Sequence, residues 1–125
     1  MTNNQAFQAG NYCDLLFNSK NISFGVASRL KTNSKNYTSI SEQFKELKKV
    51  GKEKEYSEEE IKKELTDFGN AEFEGTFKQI DLANVENLPY EEIPVITNNA
   101  QGEQVNTFFI VRDMLYYLQE LNIIQ

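Results

Sequence analysis

The residues of this 125-residue chain that could do chemistry are few. Cys13 is the single cysteine, and the chain has no histidine. A lone cysteine can act as a nucleophile only when a base or a positive field lowers its pKa. Nothing basic stands beside Cys13 in sequence, so it reads as a packed residue. Without histidine, triad chemistry and imidazole acid–base chemistry are excluded. One thiol cannot build a structural zinc site or an internal disulfide. The carboxylates Glu72, Glu74, Glu91 and Glu92 could pair as general acid and base or hold a hard cation. Their spacing matches no such site, and they read as solvated surface. Lys45, Lys48, Lys49, Lys52 and Lys54 could grip phosphates, but Glu42, Glu46, Glu53 and Glu55 interleave with them. That mixture reads as a solvated helix face. The expectation is no catalytic, cofactor-binding or metal-binding residue, no cofactor, and no enzyme.

Charge and hydropathy bound the rest. The formal charge is −6, with 39% apolar and 26% charged residues, so a single globular domain over 1–125 is expected. An acidic chain disfavours nucleic acid as a partner, because binding it requires a basic face. No apolar run approaches the ~18 residues of a membrane span, and the first residues lack the basic and apolar regions of a leader.

The clearest pattern is Asn21–Val50. Val26, Leu30, Asn33, Tyr37, Ile40, Phe44 and Leu47 step by four and three, a heptad seam along one helix. Asn33 is the polar break in that seam. It either specifies register or a partner helix, or hydrogen-bonds within its own chain. Ser19 or Asn21 is the expected cap, and Gly51 the expected end. Ser57 and Glu60 form a capping-box pattern, with Tyr56 and Ile61 as a staple, so a second helix follows up to Gly69. The two helices form an antiparallel hairpin. Before them, residues 1–11 are rich in Asn and Gln and read as a loose N-terminal arm, followed by a short helix near Tyr12–Phe17.

After Gly69 the period changes to two. Ala71, Phe73, Gly75 and Phe77 alternate with Glu72, Glu74, Thr76 and Lys78, which predicts a half-buried strand. Pro89 and Pro94 flank an acidic knuckle, Val95–Ile96 reads as a second strand, and residues 98–102 read as a turn leading to Gln104 and Val105. Thr107 is the expected cap of a broadly apolar last helix, which carries Phe108, Val111, Leu115 and Leu118 beside Ile110, Met114, Tyr117 and Leu121. Ile123 and Ile124 need cover, from the domain or from a partner. The fold class expected is α+β: a long helical hairpin, a small antiparallel sheet and a C-terminal helix.

The run Val26-Ala27-Ser28-Arg29-Leu30-Lys31-Thr32-Asn33-Ser34-Lys35, the stretch Phe44-Lys45-Glu46-Leu47, the acidic helix around Ile61–Leu65 and the apolar close resemble a family of small bacteriophage proteins from phages of Gram-positive bacteria. That family is a domain of unknown function with no site residues to carry over. The resemblance implies a phage or prophage origin and a place in the host bacterial cytoplasm or the virion. The expected function is a non-enzymatic accessory protein that binds a host or phage protein, modulating host machinery or inhibiting a defence. One alternative is a virion or assembly component, a homo-oligomer joined through the heptad face and the Ile123–Ile124 tail. The other is a small single-stranded nucleic-acid binder stacking bases on Phe73 and Phe77.

Overall fold

A computed structural model describes residues 1–19, 22–85, 88 and 92–125, without the side chains of 92–97 and 106–109. The chain is mostly helical: α1 Asn3–Leu16, α2 Phe24–Glu53, α3 Glu58–Asn70 and α4 Val111–Glu120. The organising element is α2, about 45 Å long at 1.5 Å per residue. It starts at Ser23, whose hydroxyl accepts from the Val26 N–H. Asn21 lies outside the described residues.

Helices α1 and α3 lie end to end along one flank of α2. Phe7 of α1 meets Tyr37 with ring centroids 4.7 Å apart and Phe44 at 6.2 Å. Phe68 of α3 meets Phe44 from the other side at 5.0 Å. At the junction the first N–H groups of α1 face the last carbonyls of α3. The Asn3 backbone N–H donates to the Ala71 carbonyl at 3.0 Å, and its side chain donates to the Phe68 carbonyl at 2.7 Å. Two sets of unpaired helix-end groups, with opposite dipole ends, thus satisfy each other. From Val26 to Phe44 the heptad seam is consumed inside one chain: Val26, Leu30, Asn33 and Ile40 are buried, and Tyr37 and Phe44 pack on Phe7.

Residues 1–11 are not a loose arm, which corrects the expectation. Thr2 and Gln5 form a capping box, and Asn3, Ala6, Ala9, Gly10, Cys13 and Leu16 make a buried face. That face is built of small residues, so it scores low on hydropathy yet lets two backbones approach. A Cβ on Gly10 would stand 2.6 Å from the Tyr37 backbone nitrogen.

The α+β expectation is overturned as well. The stretch Ala71–Phe77 forms no ladder; beyond one bridge between Thr2 and Glu72, it is an extended strap over the helices. The only strands among the described residues, β1 Glu92–Asn98 and β2 Gln104–Ile110, pair with each other as an antiparallel ribbon. Asn99 organises its turn, its side-chain oxygen accepting from the N–H groups of Gln101 and Glu103. Two strands offer no layer for helices to pack on, and among the described side chains the core is drawn from the helices, the segment around Ile80 and the C-terminal turn. It gathers Ala9, Cys13 and Leu16 of α1, Val26 and Leu30 of α2, Ile80 and Val85, and Val111, Met114 and Leu118 of α4. Thr107 lies in β2; the residue before α4 is Ile110, which gives no side-chain cap.

Two left-handed residues set how the chain leaves α2 and α4. Gly51 does not end α2, because the helix uses its missing Cβ for contact with α3. The turn comes at Glu55, φ 58°, where the Tyr56 N–H reaches the Gly51 carbonyl at 3.0 Å and the Glu55 N–H reaches Lys52 at 3.2 Å. This is a Schellman closure with glutamate where glycine is favoured. Glu55→Gly is expected to raise stability by about 1 kcal/mol, since glycine adopts this conformation without a Cβ penalty; urea unfolding measures it. Asn122, φ 60°, does the same after α4. The Ile123 N–H bonds back to Leu118 at 2.9 Å, which turns Ile123 and Ile124 into the core, each 2% exposed.

Candidate functional site

Cys13 points into the α1–α2 contact and is fully buried. Burial pushes its thiol up to about 12; a hydrogen bond with Asn33 pulls the other way, and Asp14 adds to the rise. No useful thiolate fraction exists near neutral pH, so Cys13 is not an activated nucleophile. The pH dependence follows from the sign of that shift. Below pH 9 the thiol is protonated in folded and unfolded chains alike. Between 9 and 12 the unfolded chain ionises first, so stability falls as pH rises. Cys13→Ala should flatten the decline of urea-unfolding midpoint above pH 9 relative to the parent chain.

Asn33 resolves as an internal clamp. Its side-chain nitrogen donates to the Lys78 carbonyl at 2.9 Å, and its oxygen accepts from the Lys78 N–H at 2.7 Å. The amide thus imitates one rung of a β-ladder. One turn along α2, the Asn36 side chain donates to the Thr76 carbonyl at 2.9 Å. The Phe73 N–H donates to the Met1 carbonyl at 2.9 Å, and the Ile80 N–H to that of Ile123 at the same distance. The strap therefore satisfies its backbone on helix side chains and chain ends where a strand would use a neighbour.

The remaining sequence candidates do not converge. Glu72 faces the N-terminal amine at 3.4 Å on the surface, and Glu74 is exposed. Glu91 and the side chain of Glu92 lie outside what is described. The lysines near the end of α2 are exposed, and Lys49 reaches Glu53 at 4.0 Å, a surface pair of small worth. Phe73 and Phe77 are half-buried and lie against each other at 5.6 Å. Among the described residues no group of three or more Cys, Asp or Glu side chains is placed to hold a metal ion, and no helix is long and apolar enough to cross a membrane.

What the sequence reading did not single out is the far end of the α2–α3 hairpin. Beyond the reach of α1, the two helices leave a groove of about 470 Å³ lined by Leu47, Val50, Gly51, Tyr56 and Ile61. Gly51 brings the walls together: a Cβ there would stand 2.5 Å from Ile61 Cγ1. Nothing in the described chain covers the mouth. Val50 is 42% and Tyr56 56% exposed. No protein-family model, no curated protein and no solved structure matches the chain. The site is therefore read from its own chemistry. The charged side chains at the groove are Glu60, Lys63 and Glu64, all from α3. Lys63 turns to Asp67 at 3.8 Å. Leu47 and Val50 extend the apolar side of α2 beyond the contact of Phe44 with Phe7 of α1; that apolar extension is the part of the groove the sequence carries.

Proposed function

We propose that this chain is a non-enzymatic phage or prophage accessory protein that acts in the host bacterial cytoplasm by binding a host or phage protein. The observation that carries the binding reading is the open apolar groove at the tip of the α2–α3 hairpin. Large apolar side chains kept in water without an internal partner are a feature of interaction sites. The phage origin rests on the resemblance of the α2 and α3 sequences. Burial of Cys13 with a raised pKa supports the non-enzymatic part of the reading. The self-associating alternative draws little support, because the heptad face from Val26 to Phe44 and Ile123–Ile124 pack within the chain. The single-strand alternative is weakened by the mutual packing of Phe73 and Phe77.

The test is affinity capture from a Gram-positive host lysate with the parent chain and Val50→Asp side by side. A partner retained at micromolar concentration by the parent and lost at least about tenfold with the variant supports the reading. Val50 is already partly in water, so the variant should keep its melting temperature. Recovery of nothing by the parent chain, or equal recovery by both, ends it.

A further inference from the structure

The groove has a chemical polarity that narrows its occupant, and this inference rests on the protein-binding reading. Its floor and lips are apolar: Leu47, Val50, Tyr56 and Ile61. Its charged rim belongs to one helix. Glu60 and Glu64 stand one helical turn apart on α3, and among the described residues neither carboxylate has an ion-pair partner. The lysine between them is occupied by Asp67. Glu58 and Glu59 precede them on the exposed start of the same helix, and the exposed lysines near the end of α2 are not among the residues that line the groove. Residues one turn apart on a helix are neighbours on its surface, so two such carboxylates match two basic residues at the same spacing on a second helix.

We propose that the groove takes an amphipathic helix from a partner protein, with one apolar side chain seated between Val50 and Ile61 and lysines or arginines paired with Glu60 and Glu64. The seat lies between two helices and is lined by apolar residues of both, which suits the helix-in-groove mode. A second copy of the chain is the other candidate occupant. Each copy carries a charge of −6, so like-charge repulsion opposes it.

The experiment uses two fluorescent helical peptides of about four turns, one with a leucine stripe flanked by lysines and one with glutamates in their place. Anisotropy is followed at about 0.15 M ionic strength, where long-range attraction is screened. The lysine peptide should bind the full chain at least about tenfold more tightly than the glutamate peptide. Glu60→Lys with Glu64→Lys should cost the lysine peptide about tenfold, since two attractions become two repulsions. Glu74→Lys with Glu103→Lys changes net charge equally at exposed positions away from the groove and should leave the affinity unchanged. Equal losses in both double variants would mean unspecific charge attraction and would overturn the proposal. So would equal binding of the two peptides, or binding of neither. A stable dimer in solution that Glu60→Lys with Glu64→Lys dissociates would assign the groove to a second copy and also overturn it. If lysate capture depends on Val50 while the lysine peptide shows no preference, only the basic chemistry fails, and the protein-binding reading stands.

Discussion

Replacing Asn33 by leucine is expected to lower the unfolding free energy by about 3 kcal/mol. Leucine is similar in size and far more apolar, and by hydropathy it would complete the heptad seam of α2. The seam argument alone predicts a gain. The hydrogen-bond argument wins, because Asn33 is 1% exposed and both ends of its amide are committed to Lys78, at 2.9 and 2.7 Å. Leucine leaves the N–H and the carbonyl of Lys78 without their partners beneath the strap, and each orphaned group costs about 1–3 kcal/mol where water cannot reach it. The extra apolar burial returns only part of that. Asn33→Asp separates the two bonds: it keeps the acceptor for the Lys78 N–H and turns the donor into a second acceptor facing a carbonyl. Both variants should lower the melting temperature, leucine by roughly 10 °C at this chain length. Thermal unfolding followed by circular dichroism decides it. A leucine variant as stable as the parent would show that the clamp carries no net stability.

The second large effect is at the C-terminal turn. Ile124→Asp should abolish cooperative folding. Ile124 is 2% exposed and bridges Ile80, whose N–H donates to the Ile123 carbonyl while its own carbonyl accepts from the Gln125 N–H. The change loses about 3 kcal/mol of apolar burial. It also places in the core a carboxyl that must either stay protonated or pay several kcal/mol of desolvation. Together these approach the whole stability of a small domain, about 5–15 kcal/mol. Ile124→Val is the control: it removes one methylene group and should cost about 1 kcal/mol. If Ile124→Asp instead left a folded monomer and dissolved an oligomer, the tail would be an association surface and its burial within the chain irrelevant to folding.

Much of the helical part of this fold is legible in the residues. The four-and-three spacing from Val26 to Leu47 marks α2 and the face it buries. Ser57, Glu60, Tyr56 and Ile61 mark the start of α3. Less was legible at the N-terminus, where Thr2 and Gln5 are a capping signature masked by Asn- and Gln-rich composition. A buried face made of Ala6, Ala9, Gly10 and Cys13 yields little hydrophobic signal, because its stabilisation comes from close backbone approach rather than from large side chains. Glu55 hid the end of α2, since glutamate seldom takes a left-handed conformation and Gly51, four residues earlier, is the more usual stop.

The candidate site was only half visible. The apolar residues Leu47, Val50, Tyr56 and Ile61 stand out in the sequence, where Leu47 belongs to the seam and Tyr56 and Ile61 to the staple. Whether they are covered depends on where α1 ends along α2. That is set by the Phe7–Phe44–Phe68 junction, a contact between three helices that no local pattern encodes.

The sequence by itself determined that histidine, disulfide and structural zinc chemistry are closed to this chain, where its long helix runs, and which face of that helix is apolar. Only the tertiary structure decided what satisfies the alternating stretch after Gly69. The alternation of Phe73 and Phe77 with Glu72 and Glu74 is real, but it specifies an extended backbone with two unlike faces, not the group that pairs with it. Two asparagines on α2, about 40 residues away, supply the pairing that a neighbouring strand would have supplied. That choice makes a helical protein of a chain whose local pattern asked for a sheet.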